Sequence, residues 1–125
     1  MEDVSSQYSL EFDELPEWLR ITVSSDTWTP AMADDYNRRV AEKIASTQAN
    51  RVLIVRDIPI TLHSLAVFSL MSEFVEGVGR RKVAVVNPFP ALREDLKFAI
   101  GIATNRKENY RLFENVPDAE AWLSI

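Results

Sequence analysis

The chain has no cysteine among its 125 residues. A disulfide scaffold, a cysteine-ligated zinc finger, an iron–sulfur cluster and thiol catalysis are therefore excluded. Three glycines leave no material for a glycine-rich phosphate loop. Positive charge is also scarce: 14 basic residues face 19 acidic ones, for a net charge of −5. A phosphate-backbone binder needs a basic patch, so nucleic acid is not an expected partner. No apolar run approaches the roughly 18 residues that cross a bilayer. The longest apolar-rich region, Leu62 to Val78, is broken by Ser64, Ser69, Ser72, Glu73 and Glu76. The start, Met1-Glu2-Asp3-Val4-Ser5-Ser6-Gln7, is polar and acidic, the reverse of a secretory signal. The expectation is a cytoplasmic protein with no integral membrane segment, no metal and no cofactor.

What is present is ordinary globular material, 46% apolar and 26% charged. The length suits one domain over residues 1–125, and such a domain buries about two-thirds of its unfolded surface. Tyr8 to Asp13 alternates, with Tyr8, Leu10 and Phe12 on one side, and predicts a half-buried strand. Pro16 marks a turn, and Trp18 to Val23 returns as the second strand of a hairpin. Thr29-Pro30 predicts a helix start, followed by the stripe Met32, Tyr36, Val40 and Ile44. Val52-Leu53-Ile54-Val55 and Val83-Ala84-Val85-Val86 are continuous apolar runs, the pattern of strands buried on both faces of a parallel sheet. A helix is expected between them from about Thr61 to Gly77, and a third after Pro90 with Leu92, Leu96, Ile100 and Ala103 facing inward. Tyr110 to Phe113 predicts a last strand, and Asn115 with Pro117 opens a final helix. The predicted order is ββαβαβαβα: an α/β fold with a mostly parallel five-stranded sheet, an N-terminal hairpin and four helices.

Chemistry is hard to find in this pattern. His63 is the only histidine, and Ser64 beside it suggests a nucleophile with its base. Adjacent helical residues point about 100° apart, which makes a hydrolase built on Ser64 and His63 a poor reading. No catalytic residue is assigned. The pairs Asp34-Asp35 and Glu94-Asp95 are expected in first helical turns, where acids complement the dipole. Arg80-Arg81-Lys82 is expected as a solvated basic edge. Ligands of parallel α/β sheets gather beyond the carboxyl ends of the strands. That rule selects the loops carrying Asp26, Asp57, Thr61, His63, Ser64 and Asn87. Trp28, just ahead of the first helix, is expected either to staple the helix start or to line a cleft.

The segment from Arg51 to Phe89 resembles the core of STAS domains. It comprises a buried strand, a loop with Asp57, a helix opening on Thr61-Leu62-His63-Ser64-Leu65, then Val78-Gly79-Arg80 and Lys82-Val83-Ala84-Val85-Val86. The ending Tyr110-Arg111-Leu112-Phe113-Glu114-Asn115, with Ala119-Glu120-Ala121-Trp122-Leu123, is similar to that of the SpoIIAA-like (STAS/SEC14-type) small bacterial proteins. The resemblance implies a SpoIIAA-like, non-enzymatic module that resembles anti-sigma factor antagonists and acts on a protein partner such as an anti-sigma-type kinase. Asp57, Thr61, His63 and Ser64 are then the regulatory and partner-binding candidates. In anti-anti-sigma factors the corresponding helix opens Asp-Ser-Ser-Gly and one serine is phosphorylated. Here the acid and the glycine are missing. Ser64 meets a motif serine after a one-residue shift, and ungapped His63 takes the phosphorylated place. The SEC14-type comparison implies the alternative, a small apolar, lipid-like ligand in a cleft formed by Trp28, Phe68, Asn87 and Phe89. A homodimer through the second and third helices would bury Phe98 and Ile102.

Overall fold

A computed structural model describes residues 4–59, 81–92, 94, 97 and 109–125. Strands β1 (Ser9–Glu14) and β2 (Leu19–Ser24) form the expected antiparallel hairpin. Its turn is closed by the Leu15 N–H, which donates to the Trp18 carbonyl at 3.1 Å. Helix α1 (Pro30–Ala45) leads to β3 (Arg51–Asp57). Then come β4 (Lys82–Val86), β5 (Asn109–Phe113) and helix α2 (Val116–Leu123). Short 3-10 turns cover Val4–Ser6 and Pro90–Leu92. The sheet order is β1-β2-β3-β4-β5, with β2 to β5 all parallel. The α/β class and the five-stranded mixed sheet match the expectation. Two of the four expected helices are α1 and α2. The one over 61–77 falls outside the described residues; of the one after Pro90, Pro90–Leu92 is a 3-10 turn, Glu94 and Lys97 are helical, and the rest falls outside the described residues.

Period-2 alternation explains why the sheet carries two cores. Phe12, Ile21, Ile54, Val85 and Leu112 pair in register, one per strand, and form a row straight across the sheet on the α1 side. Met32, Tyr36, Val40 and Ile44 of α1 join that core, as the helical stripe predicts. The intervening residues Leu53, Ala84 and Val86 face the other way and meet Ala119 and Leu123 of α2, with Trp18 alongside. Trp18 therefore ends on the opposite face from Leu19, Ile21 and Val23, and the second strand starts one residue later than expected.

Both helix starts are capped as the sequence predicts. Thr29 Oγ1 accepts the Met32 N–H at 3.2 Å, and Asn115 Oδ1 accepts the Asp118 N–H at 2.9 Å. The acidic pair 34–35 needs a different explanation. α1 begins at Pro30, so its first turn holds no acid and Asp34-Asp35 comes a turn later. Asp35 instead accepts the Tyr8 hydroxyl at 2.8 Å and forms ion pairs with Arg38 at 2.5 Å and Arg39 at 3.8 Å. The aspartate ties the chain ahead of β1 to the helix.

The basic run before β4 is likewise not a merely solvated edge. The Arg81 guanidinium donates from Nε to the Ala49 carbonyl at 2.8 Å and from Nη2 to the Ile44 carbonyl at 3.3 Å. Lys82 Nζ donates to the Trp122 carbonyl at 2.6 Å and lies 4.4 Å from the centre of the Trp122 ring. Each cation thus reaches a carbonyl in the last turn of a helix, Ile44 of α1 or Trp122 of α2, where positive charge complements the dipole. Lys82→Met keeps the aliphatic stem and removes the ammonium. The expected loss is about 1.5–3 kcal/mol, the range for a hydrogen bond that involves a charged group. A urea midpoint equal to that of the parent protein would show that Lys82 is only solvated.

Candidate functional site

The parallel register brings the carboxyl ends of β2, β3 and β4 to one edge. Asp57 ends β3, its side chain exposed, and its carbonyl accepts the Ser25 N–H at 3.2 Å. Ile58 follows and is fully buried, which pins the start of the next loop to the core. At the end of β4 the Asn87 N–H donates to the Phe113 carbonyl at 3.1 Å, so the ladder to β5 runs one residue beyond the strand. The Asn87 side chain then turns the chain: its Oδ1 accepts the Phe89 N–H at 2.8 Å. Asn87 is only 5% exposed, an unusual degree of burial for an amide side chain.

This turn shapes a pocket of about 100 Å3, lined by Asn87, Pro88, Phe89, Pro90, Lys97, Leu112, Phe113 and Glu114. Its walls are mostly rings and aliphatic carbon. Lys97, which also pairs with Glu94 at 3.7 Å, adds a cation to the lining. Of the four residues expected in a ligand cleft, Asn87 and Phe89 share this pocket. Trp28 is placed elsewhere. It is 8% exposed and packs edge-on against Tyr8 at 5.6 Å and Tyr36 at 5.7 Å, so it fastens the start of α1 to the core. The fourth, Phe68, lies outside the described residues, as do Thr61, His63, Ser64, Phe98 and Ile102.

The aromatic cluster around Trp28 has its own electrostatics. Burial, and then the hydrogen bond to Asp35, push the Tyr8 hydroxyl up to about 12. Burial pushes Tyr36 to about 12 as well. The Arg56 guanidinium lies 5.8 Å from the Trp28 ring centre, and burial lowers its pKa below the ordinary arginine value. Arg56 carries no motif that marks it as a site residue. The signal was available: Val52 and Ile54 face the α1 side, and alternation puts a charge at the next inward position.

Among the described residues, no group of three or more histidine, cysteine or carboxylate side chains could hold a metal ion. Among them, too, no helix is long and apolar enough to cross a membrane.

The fold and edge define an α/β protein whose five strands lie in chain order, with a polar rim at the carboxyl ends of the parallel ones. No family model matches the chain, and no curated protein matches it. Among solved structures, the chain is similar to the NMR structure of the protein TM1081, with a TM-score of 0.56 and 11% identity. That match covers 90% of this chain and 86% of the other. At such low identity the likeness concerns the fold alone.

Proposed function

We propose that the chain is a non-enzymatic binding module that engages a protein partner through the carboxyl edge of its sheet. The reading follows the resemblance to anti-sigma factor antagonists, and the partner class it implies is an anti-sigma-type kinase. The STAS-type topology, with its two further helices, belongs to the same proposal. The observation that carries it is the size of the pocket between Asn87 and Phe113. At about 100 Å3 it is well below the roughly 300 Å3 at which small-molecule sites begin. One protruding side chain suits that volume, whereas a lipid does not. Asp57 stands exposed on the same edge, directly ahead of the segment that holds Thr61, His63 and Ser64.

Photo-crosslinking in the chain's own host, with the reactive group at Phe89, tests the reading. A single protein is expected at this edge, and Asp57→Lys is expected to cut its yield at least tenfold without moving the thermal midpoint. Capture that ignores Asp57 would sink the proposal. So would a lipid-sized adduct in the native mass spectrum of protein from that host, which would favour the SEC14-type alternative.

A further inference from the structure

At the carboxyl edge, β3 and the residue that follows β4 carry polar side chains where the inward alternation calls for apolar ones. On the α1 side β3 presents Val52 and Ile54, and then Arg56. On the same side β4 presents Val83 and Val85, and then Asn87. Val55 pairs with Val86 as the last register pair of β3 and β4, and Arg56 and Asn87 are the residues that come next on the two chains. Ladder bonds at Ser25–Asp57 and Asn87–Phe113 hold the backbone on both sides of this pair.

Both side chains carry an unmet donor. Asn87 Oδ1 is used by Phe89, but Asn87 Nδ2 is buried without a hydrogen-bond partner. Arg56 Nε is buried without one too. Among the described residues, no carboxylate forms an ion pair with Arg56, and the neighbour seen at its guanidinium is the Trp28 ring. An unpaired buried donor is costly, and a charged one more so. Burial already lowers the Arg56 pKa. Proteins tend to break such local rules at functional sites.

The missing partner must be an acceptor, and beside a guanidinium it should be anionic. Arginine offers a planar fork of N–H groups that matches an oxyanion, and the Asn87 amide adds a neutral N–H. The Trp28 ring, 5.8 Å from the guanidinium carbon, covers one side of the group. We propose that Arg56 and Asn87 form an oxyanion-binding site at the carboxyl ends of β3 and β4, which takes a carboxylate or phosphate group. The site shares its edge with the proposed partner surface and gives the chemistry of the group recognised there. In that location it rests on the binding-module reading, but its test needs no partner.

The 15N-labelled protein is titrated with inorganic phosphate and, separately, with acetate, at constant ionic strength set by chloride. The Arg56 Nε–H and Asn87 Nδ2–H resonances are expected to shift saturably with at least one of the two anions. The stronger anion identifies whether the site favours phosphate or carboxylate. Arg56→Leu is expected to weaken that binding at least tenfold while its thermal midpoint stays equal or rises, because a buried unpaired N–H has been removed. Asn87→Asp, which adds a repelling charge, is expected to weaken binding similarly. The proposal is overturned if neither anion moves the two resonances. Equal affinity in Arg56→Leu, or a thermal midpoint lowered by that substitution with binding intact, would overturn it as well. Loss of the crosslinked partner in the Asp57→Lys experiment bears on the protein surface alone, so the two readings fail separately.

Discussion

Ile54→Ala is expected to lower the free energy of unfolding by about 2–5 kcal/mol, the range for removing a buried isoleucine from a packed core. Ile54 occupies the middle strand of the sheet, paired with Ile21 on one side and Val85 on the other. It is 2% exposed and faces the core that α1 covers. Strand backbone on both flanks limits collapse around the vacated volume, which favours the upper part of the range. Domains of this size have only about 5–15 kcal/mol in total, so the loss is a large fraction of stability. Urea unfolding followed by circular dichroism measures it. A loss under about 1 kcal/mol would mean that the five-strand row does not form the centre of the core.

Alkaline unfolding gives the second large effect. Tyr36 has a folded-state pKa of about 12 against an ordinary value of 10, with burial as the main cause. Arg56 opposes the rise by favouring the phenolate, and Tyr8 adds to it. Between pH 10 and 12 the unfolded chain has lost the Tyr36 proton while the folded chain still holds it. Stability is therefore fully present below pH 10 and declines as pH rises toward 12. A two-unit difference corresponds to about 3 kcal/mol by the linkage relation. Tyr36→Phe retains the ring and removes the ionisable group. Its unfolding free energy is expected to fall less steeply over this window than that of the parent protein. Tyr8, also raised to about 12, leaves a residual slope in the variant. Parallel slopes for variant and parent would contradict the assignment to Tyr36.

Much of the architecture was legible because its causes are local. The hairpin followed from alternation around Pro16. The Thr29-Pro30 and Asn115-Pro117 signals placed both helix starts, since a capping side chain acts within three residues. The two continuous apolar runs identified strands buried on both faces because only a doubly covered strand lacks a polar side. Residues whose role depends on distant partners were read less well. Asp35 looked like a dipole complement, yet it serves Tyr8 from 27 positions away. Arg81 and Lys82 looked solvated, yet they reach helix ends 37 and 40 positions distant. Sequence allows Trp28 two roles, and its packing against Tyr8 and Tyr36 places it in the core.

The candidate site shows the same division. Sequence position alone selected the carboxyl-end loops, and with them Asp57, Asn87 and Phe89. It could not show that Asn87 and Phe89 share a small pocket with Leu112 and Phe113, because that depends on the β4–β5 pairing. Nor could it show that Arg56 and Asn87 follow the last register pair of adjacent strands with buried donors unmet. The sequence by itself determined the α/β class, the hairpin, the strand-forming runs and the helix caps, all products of periodicity and contacts a few residues apart. The tertiary structure alone decided strand order, register and the partners of the charged side chains. Those features arise from pairings between residues far apart in the chain, which no local pattern encodes.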